Sequence, residues 1–99
     1  MIKLLMTWNI QEGHERAYFE FMVREFTPTL LQMGIELREA WYTVYGDGPQ
    51  ILIGWLVEDR ETVQKVMETE EWQGLYERLL EHVTDFQFRV VPPQERFQV

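Results

Sequence analysis

The stretch from Ile35 to Glu58 sets the strongest limit on how this chain can fold. Strand-forming residues through Leu37, Trp41, Tyr42, Thr43, Val44 and Tyr45 predict one β-strand. Gly46-Asp47-Gly48-Pro49 then breaks the run, and Ile51-Leu52-Ile53-Gly54-Trp55-Leu56-Val57 predicts a second strand, so the segment reads as a hairpin. Successive side chains of a strand point to opposite faces, which places Ile51, Ile53, Trp55 and Val57 on one side and Leu52, Gly54 and Leu56 on the other. Both faces are apolar. A hairpin on a protein surface shows water one polar face; this one has to be covered twice.

The flanking segments supply one cover. Ile2 to Trp8 predicts a first strand, with Ile2, Leu4, Met6 and Trp8 on one face and Lys3, Leu5, Thr7 and Asn9 on the other. From His14 onward apolar residues recur at helical spacing: Tyr18, Phe21 and Met22, with Phe19, Val23 and Phe26 on an adjoining stripe. Thr27-Pro28 predicts a kink or break, because proline lacks the N–H and clashes with the preceding turn, and a last turn through Leu30 and Leu31 ends at Gly34. After the hairpin, Asp59 is the expected N-cap of a helix carrying Val63, Val66 and Met67. Thr69 is the expected N-cap of another, carrying Trp72, Leu75, Tyr76, Leu79, Leu80 and Val83. Phe86, Phe88 and Val90 alternate with Gln87 and Arg89 in a last strand that Pro92-Pro93 ends, leaving a tail from Gln94 to Val99 that is either loose or laid across a neighbour.

This order is β, α, β, β, α, β, which predicts an α+β fold: a ferredoxin-like arrangement with one antiparallel four-stranded sheet and the helices on one face, in a single domain spanning residues 1–99. The helices cover one side of the hairpin only. At roughly 25 cal/mol per Å², leaving a few hundred Å² of apolar sheet in water forgoes several kcal/mol, comparable with the whole net stability of a domain. A second copy is the simplest cover, so the expectation is a homodimer joined through the open sheet face.

Composition narrows the partners. A formal charge of −8 repels a phosphate backbone, which argues against nucleic-acid binding. No cysteine is present, which excludes disulfides, thiolate metal sites and cysteine nucleophiles and fits a reducing compartment. The N-terminal apolar run is too short for a signal segment and none approaches a membrane span, so the expected location is cytoplasmic, with no membrane partner. The two histidines, His14 and His82, show no HxH or HxxxH spacing, and neither a metal site nor a cofactor is expected.

Gly34-Ile35-Glu36-Leu37 after a proline-interrupted helix, the run from Ile51 through Val57 into Glu58-Asp59-Arg60-Glu61, and Thr69-Glu70-Glu71-Trp72-Gln73-Gly74-Leu75 together resemble the dimeric α+β barrel proteins. Within that group the chain is similar to the antibiotic biosynthesis monooxygenase-like domains and their uncharacterised relatives. The resemblance implies two sheets packed face to face in a barrel and a monooxygenase-like enzyme that works without a cofactor. Many of those relatives carry two histidines at positions where Val66 and Glu71 stand here. The haem-degrading members of the fold use an asparagine, a tryptophan and a histidine where this chain has Asn9, Met67 and Tyr76, so haem binding or degradation is a lesser reading with one match of three.

Candidate site residues follow from the faces of the strands. If Ala40, Tyr42 and Val44 look toward the helices, Glu39 and Trp41 look into the barrel, and Gln87, Arg89, Thr7 and Asn9 do the same from the last and first strands. With Trp55 they would line an aromatic pocket with a few polar groups, suited to a small aromatic or apolar ligand. Glu39 is the expected acid or base, with Asn9 and Arg89 as orienting groups. The competing expectation is a non-catalytic dimer whose barrel is packed solid, with Glu39 and Arg89 in ion pairs between subunits and the tryptophans filling the interface.

Overall fold

The computed structural model describes residues 1–43, 46 and 48–92. Strand β1 (Ile2–Ile10) leads into helix α1 (Glu15–Phe21), a π-helical turn (Met22–Phe26) and helix α2 (Thr27–Gln32). Strands β2 (Ile35–Tyr42) and β3 (Ile51–Val57) form the hairpin, followed by α3 (Arg60–Met67), α4 (Glu70–Leu80) and β4 (Val83–Val91). Val44 and Tyr45 of the expected strand, Asp47 of the expected turn, and the expected tail lie outside the described residues.

Among the described residues the strands make one antiparallel sheet in the order β2-β3-β1-β4, the order of a ferredoxin-like α+β fold. The register joins Leu4 to Trp55, Met6 to Ile53 and Trp8 to Ile51, and this face packs under the helices. Trp8 sits at its centre, fully buried, edge-on to Tyr18 and Phe26 and stacked on Phe86 at 5.8 Å. Its indole N–H donates to the Tyr18 hydroxyl at 2.9 Å, which satisfies a donor that burial would otherwise leave without a partner.

Both expected N-caps act as such. The Asp59 carboxylate accepts from the Thr62 backbone N–H at 2.8 Å, and the Thr69 hydroxyl accepts from the Trp72 N–H at 3.1 Å. The backbone N–H of Thr62, followed by its hydroxyl, holds the Asp59 carboxyl below its ordinary value. The expected break at Thr27-Pro28 takes another form. Phe26 and Thr27 keep right-handed helical dihedrals, and the Thr27 N–H reaches back to the Met22 carbonyl, so the chain widens into a π turn just before the proline instead of breaking.

Two irregularities decide which side chains share a face. Between Leu37 and Glu39 strand β2 carries one extra residue, Arg38, so that Leu37 pairs with Trp55 on the helix side while Glu39 pairs with Gly54 on the open side. Between Thr7 and Asn9 the extra residue lies in β4, where Asp85 takes a φ of 58°, a left-handed conformation that aspartate tolerates better than most residues. No helix among the described residues is long and apolar enough to cross a membrane.

Candidate functional site

On the open face the register assembles two adjacent rows. One runs Trp41, Leu52, Thr7, Gln87 and the other Glu39, Gly54, Leu5, Arg89, each taken from β2, β3, β1 and β4 in turn. Five of the seven expected site residues thus share the open face, and the face of β2 that the sequence left conditional is settled: Ala40 and Tyr42 look toward the helices. Leu5, Thr7, Leu52, Gln87 and Arg89 border a depression of about 330 Å³.

The chemistry of this face is partly committed already. Lys3 donates to Glu39 at 2.7 Å, with both side chains only partly exposed. Gly54 makes the contact possible: a Cβ there would lie 2.9 Å from Glu39 Oε1 and 3.0 Å from its Cγ. The missing side chain lets the glutamate lie across β3 and reach β1. Arg89 is exposed and has no ion-pair partner among the described residues.

Two expected site residues stand elsewhere. Trp55 is fully buried on the helix side, paired with Leu4 and Leu37 and 5.8 Å from the Phe26 ring, so it belongs to the core and cannot line the open face with Glu39. Strand alternation is the reason, since Trp55 is one residue from Gly54, the partner of Glu39. Asn9 serves as a strap at the end of β1: its amide donates to Asp85 at 3.0 Å, and its carbonyl oxygen accepts the Gln50 backbone N–H at 2.8 Å. That leaves it spent on holding β4 and the end of the hairpin to β1.

The haem reading finds no built site at its residues. Asn9 is bonded as described, Tyr76 is stacked on Trp72 at 5.7 Å and edge-on to Phe86 at 5.1 Å, and Met67 packs against the core. Among the described residues no group of three or more histidine, cysteine or carboxylate side chains is arranged to hold a metal.

A second cavity lies on the helix side, where sequence reasoning placed only core. It holds about 240 Å³ between α1, the π turn and the β2–β3 edge, walled by Tyr18, Phe19, Met22, Val23, Thr27, Leu37, Ala40, Trp41, Tyr42, Ile51 and Ile53. The bulge at Arg38 and the π turn together shape it: one puts Leu37 and Ala40 on the same side of β2, and the other re-aims Met22 and Val23. No carboxylate, histidine, lysine or arginine lines it. Burial pushes the Tyr18 hydroxyl up to about 12, against a smaller lowering by the Trp8 donor.

Known structures share this fold over the whole chain. An uncharacterised NIPSNAP domain protein from Burkholderia xenovorans is 16% identical, covers 100% of both chains and superposes with a TM-score of 0.73. A putative antibiotic biosynthesis monooxygenase from Deinococcus radiodurans is 15% identical over 100% of this chain and 98% of its own, with a TM-score of 0.75. A protein from Arabidopsis thaliana reaches a TM-score of 0.79 at 10% identity, covering 99% of this chain and 100% of its own. No family model matches the sequence, and no curated protein does. At these identities the likeness establishes the ferredoxin-like α+β fold, as the sequence resemblance implied, and leaves the chemistry to be argued from the residues.

Proposed function

We propose that the protein is a homodimer, joined through the open face of the sheet, in which each copy holds a small apolar, partly aromatic organic molecule in the helix-side cleft. The observation that carries the ligand is the cleft wall itself, whose exposed surface is almost entirely carbon and includes the aromatic residues Tyr18, Phe19 and Tyr42. At about 240 Å³ it is smaller than the pockets of roughly 300 Å³ and above that hold drug-sized ligands, which favours a compact molecule of one or a few rings. With no carboxylate, histidine, lysine or arginine on its wall, the cleft supports binding better than side-chain acid–base turnover.

The dimer rests on the open face. Four strands about 4.8 Å apart and about eight residues of about 3.3 Å rise give a face of about 500 Å². Two such faces reach the ~1,000 Å² that a stable interface needs. Leu52 and Leu56, partly exposed, supply its apolar surface, and Trp41, 64% exposed in the single chain, is its natural anchor. The Lys3–Glu39 pair is satisfied within the chain, so it can enter an interface without leaving a lone charge behind. Thr7, Gln87 and Arg89 then wall the space between the two sheets.

Titration with an uncharged naphthalene dye, followed by fluorescence, tests the cleft. Saturable binding is expected, weakened about tenfold or more by Ala40→Trp, which fills the cavity, and unchanged by Arg89→Gln. Equal binding by the Ala40→Trp protein removes the proposal.

A further inference from the structure

His14 and His82 are the chain's two histidines, separated by 68 positions, and the fold brings them face to face. Their Nδ1 atoms lie 3.4 Å apart, with ring centroids at 5.6 Å and the rings inclined at 61°. A direct N–H···N hydrogen bond is stretched at this distance, since protein hydrogen bonds from nitrogen cluster between about 2.7 and 3.2 Å. The distance instead fits the bite of a metal ion. Two ligand nitrogens each about 2.0–2.1 Å from a tetrahedral zinc ion stand about 3.3–3.4 Å apart.

The two rings are held by backbone on both sides. His14 occupies the N-cap position of α1, and its N–H donates to the Gln11 carbonyl at 2.9 Å. His82 follows the end of α4, where its N–H donates to the Leu79 carbonyl at 2.9 Å and its carbonyl accepts the Gln11 N–H at 2.8 Å. Gln11 therefore ties the two turns together, and the Phe21 ring 5.6 Å from His82 closes one side.

We propose that His14 and His82 form a bidentate site for a borderline divalent cation such as Zn²⁺ or Cu²⁺, bound through both Nδ1 atoms. Neutral imidazole is a ligand suited to these ions. Because no third histidine, cysteine or carboxylate is arranged with the pair among the described residues, the remaining positions are open to water or to a ligand from solution. The site lies apart from the apolar cleft, sharing no residue with its wall, and stands whether or not that cleft binds anything.

The test uses the untagged full chain, in which any histidine-dependent binding must come from these two side chains. Calorimetric titration with Zn²⁺ is expected to show one site per chain, weakened about tenfold or more by His14→Gln and equally by His82→Gln. With Cu²⁺, electron paramagnetic resonance is expected to show coupling to two equivalent nitrogens, reduced to one in either variant. Circular dichroism checks that both variants keep the fold; if either does not, the two-nitrogen signal of the unaltered protein decides alone. Absence of binding, binding that survives both substitutions, or a signal from a single nitrogen overturns the proposal.

Discussion

Replacing Tyr18 by phenylalanine removes one oxygen from the centre of the molecule and nothing else. The ring keeps its edge-on contact with Trp8, whose centroid lies 6.2 Å away, but the Trp8 N–H loses the acceptor it holds at 2.9 Å. Trp8 is fully buried, so no solvent stands ready to replace that partner. An orphaned donor of this kind costs about 1–3 kcal/mol. At about 4–8 °C for each kcal/mol in a domain of this size, the loss is easily seen in a melt. The alkaline limb adds a second signature. The Tyr18 hydroxyl titrates near its ordinary value of 10.0 in the unfolded chain and near about 12 in the folded one, because burial opposes the phenolate. Above pH 10 the unfolded state therefore releases this proton first, and the stability it contributes, complete below pH 10, is lost as pH rises through 12. Two pKa units correspond to about 3 kcal/mol. Urea unfolding of both proteins, followed by tryptophan fluorescence between pH 7 and pH 12, is expected to show Tyr18→Phe less stable at pH 7 and the gap closing between pH 10 and 12. A variant within about 0.5 kcal/mol of the parent at pH 7, or a gap that stays constant to pH 12, would refute the reasoning.

Thr69→Ala removes the acceptor for the Trp72 N–H and is expected to cost about 1 kcal/mol in urea unfolding, while Thr69→Ser costs little. Gly54→Ala puts a methyl group about where Glu39 lies, so the glutamate should leave Lys3; a crystal structure of the variant is expected to show the pair broken, with a stability change under about 1 kcal/mol in the isolated chain. Trp41→Glu replaces the most exposed aromatic of the proposed interface with a charge, and sedimentation is expected to show monomers at concentrations where the parent is paired.

Much of the fold was legible because its signals are local. Alternation in β1 and β3 assigned their faces, and the caps at Asp59 and Thr69 are each a side chain bonding three residues ahead. What escaped depends on one residue more or less in a ladder. No pattern around Arg38 announces that it is the extra residue of β2, yet it puts Leu37 and Glu39 on opposite faces and opens the wall of the cleft. Likewise Asp85 precedes the strand that the alternation from Phe86 predicts, and its place in β4 shows only in the bulge and the bond from Asn9. Trp55 is different: alternation already grouped it with Ile51 and Ile53, and its aromatic character alone suggested a pocket wall. The meeting of His14 and His82 is tertiary, created when the β1–α1 and α4–β4 turns come together at one end of the sheet, and no spacing rule could have found it.

The hairpin with two apolar faces remains the feature on which the quaternary reading rests, since α1 to α4 pack on one of them only. Light scattering of the purified chain at micromolar concentration tests it most directly. A particle of twice the chain's 12.0 kDa is expected, falling to a single chain for Trp41→Glu. A stable mass of 12.0 kDa for the unaltered protein would contradict the dimer and leave the open face without its cover.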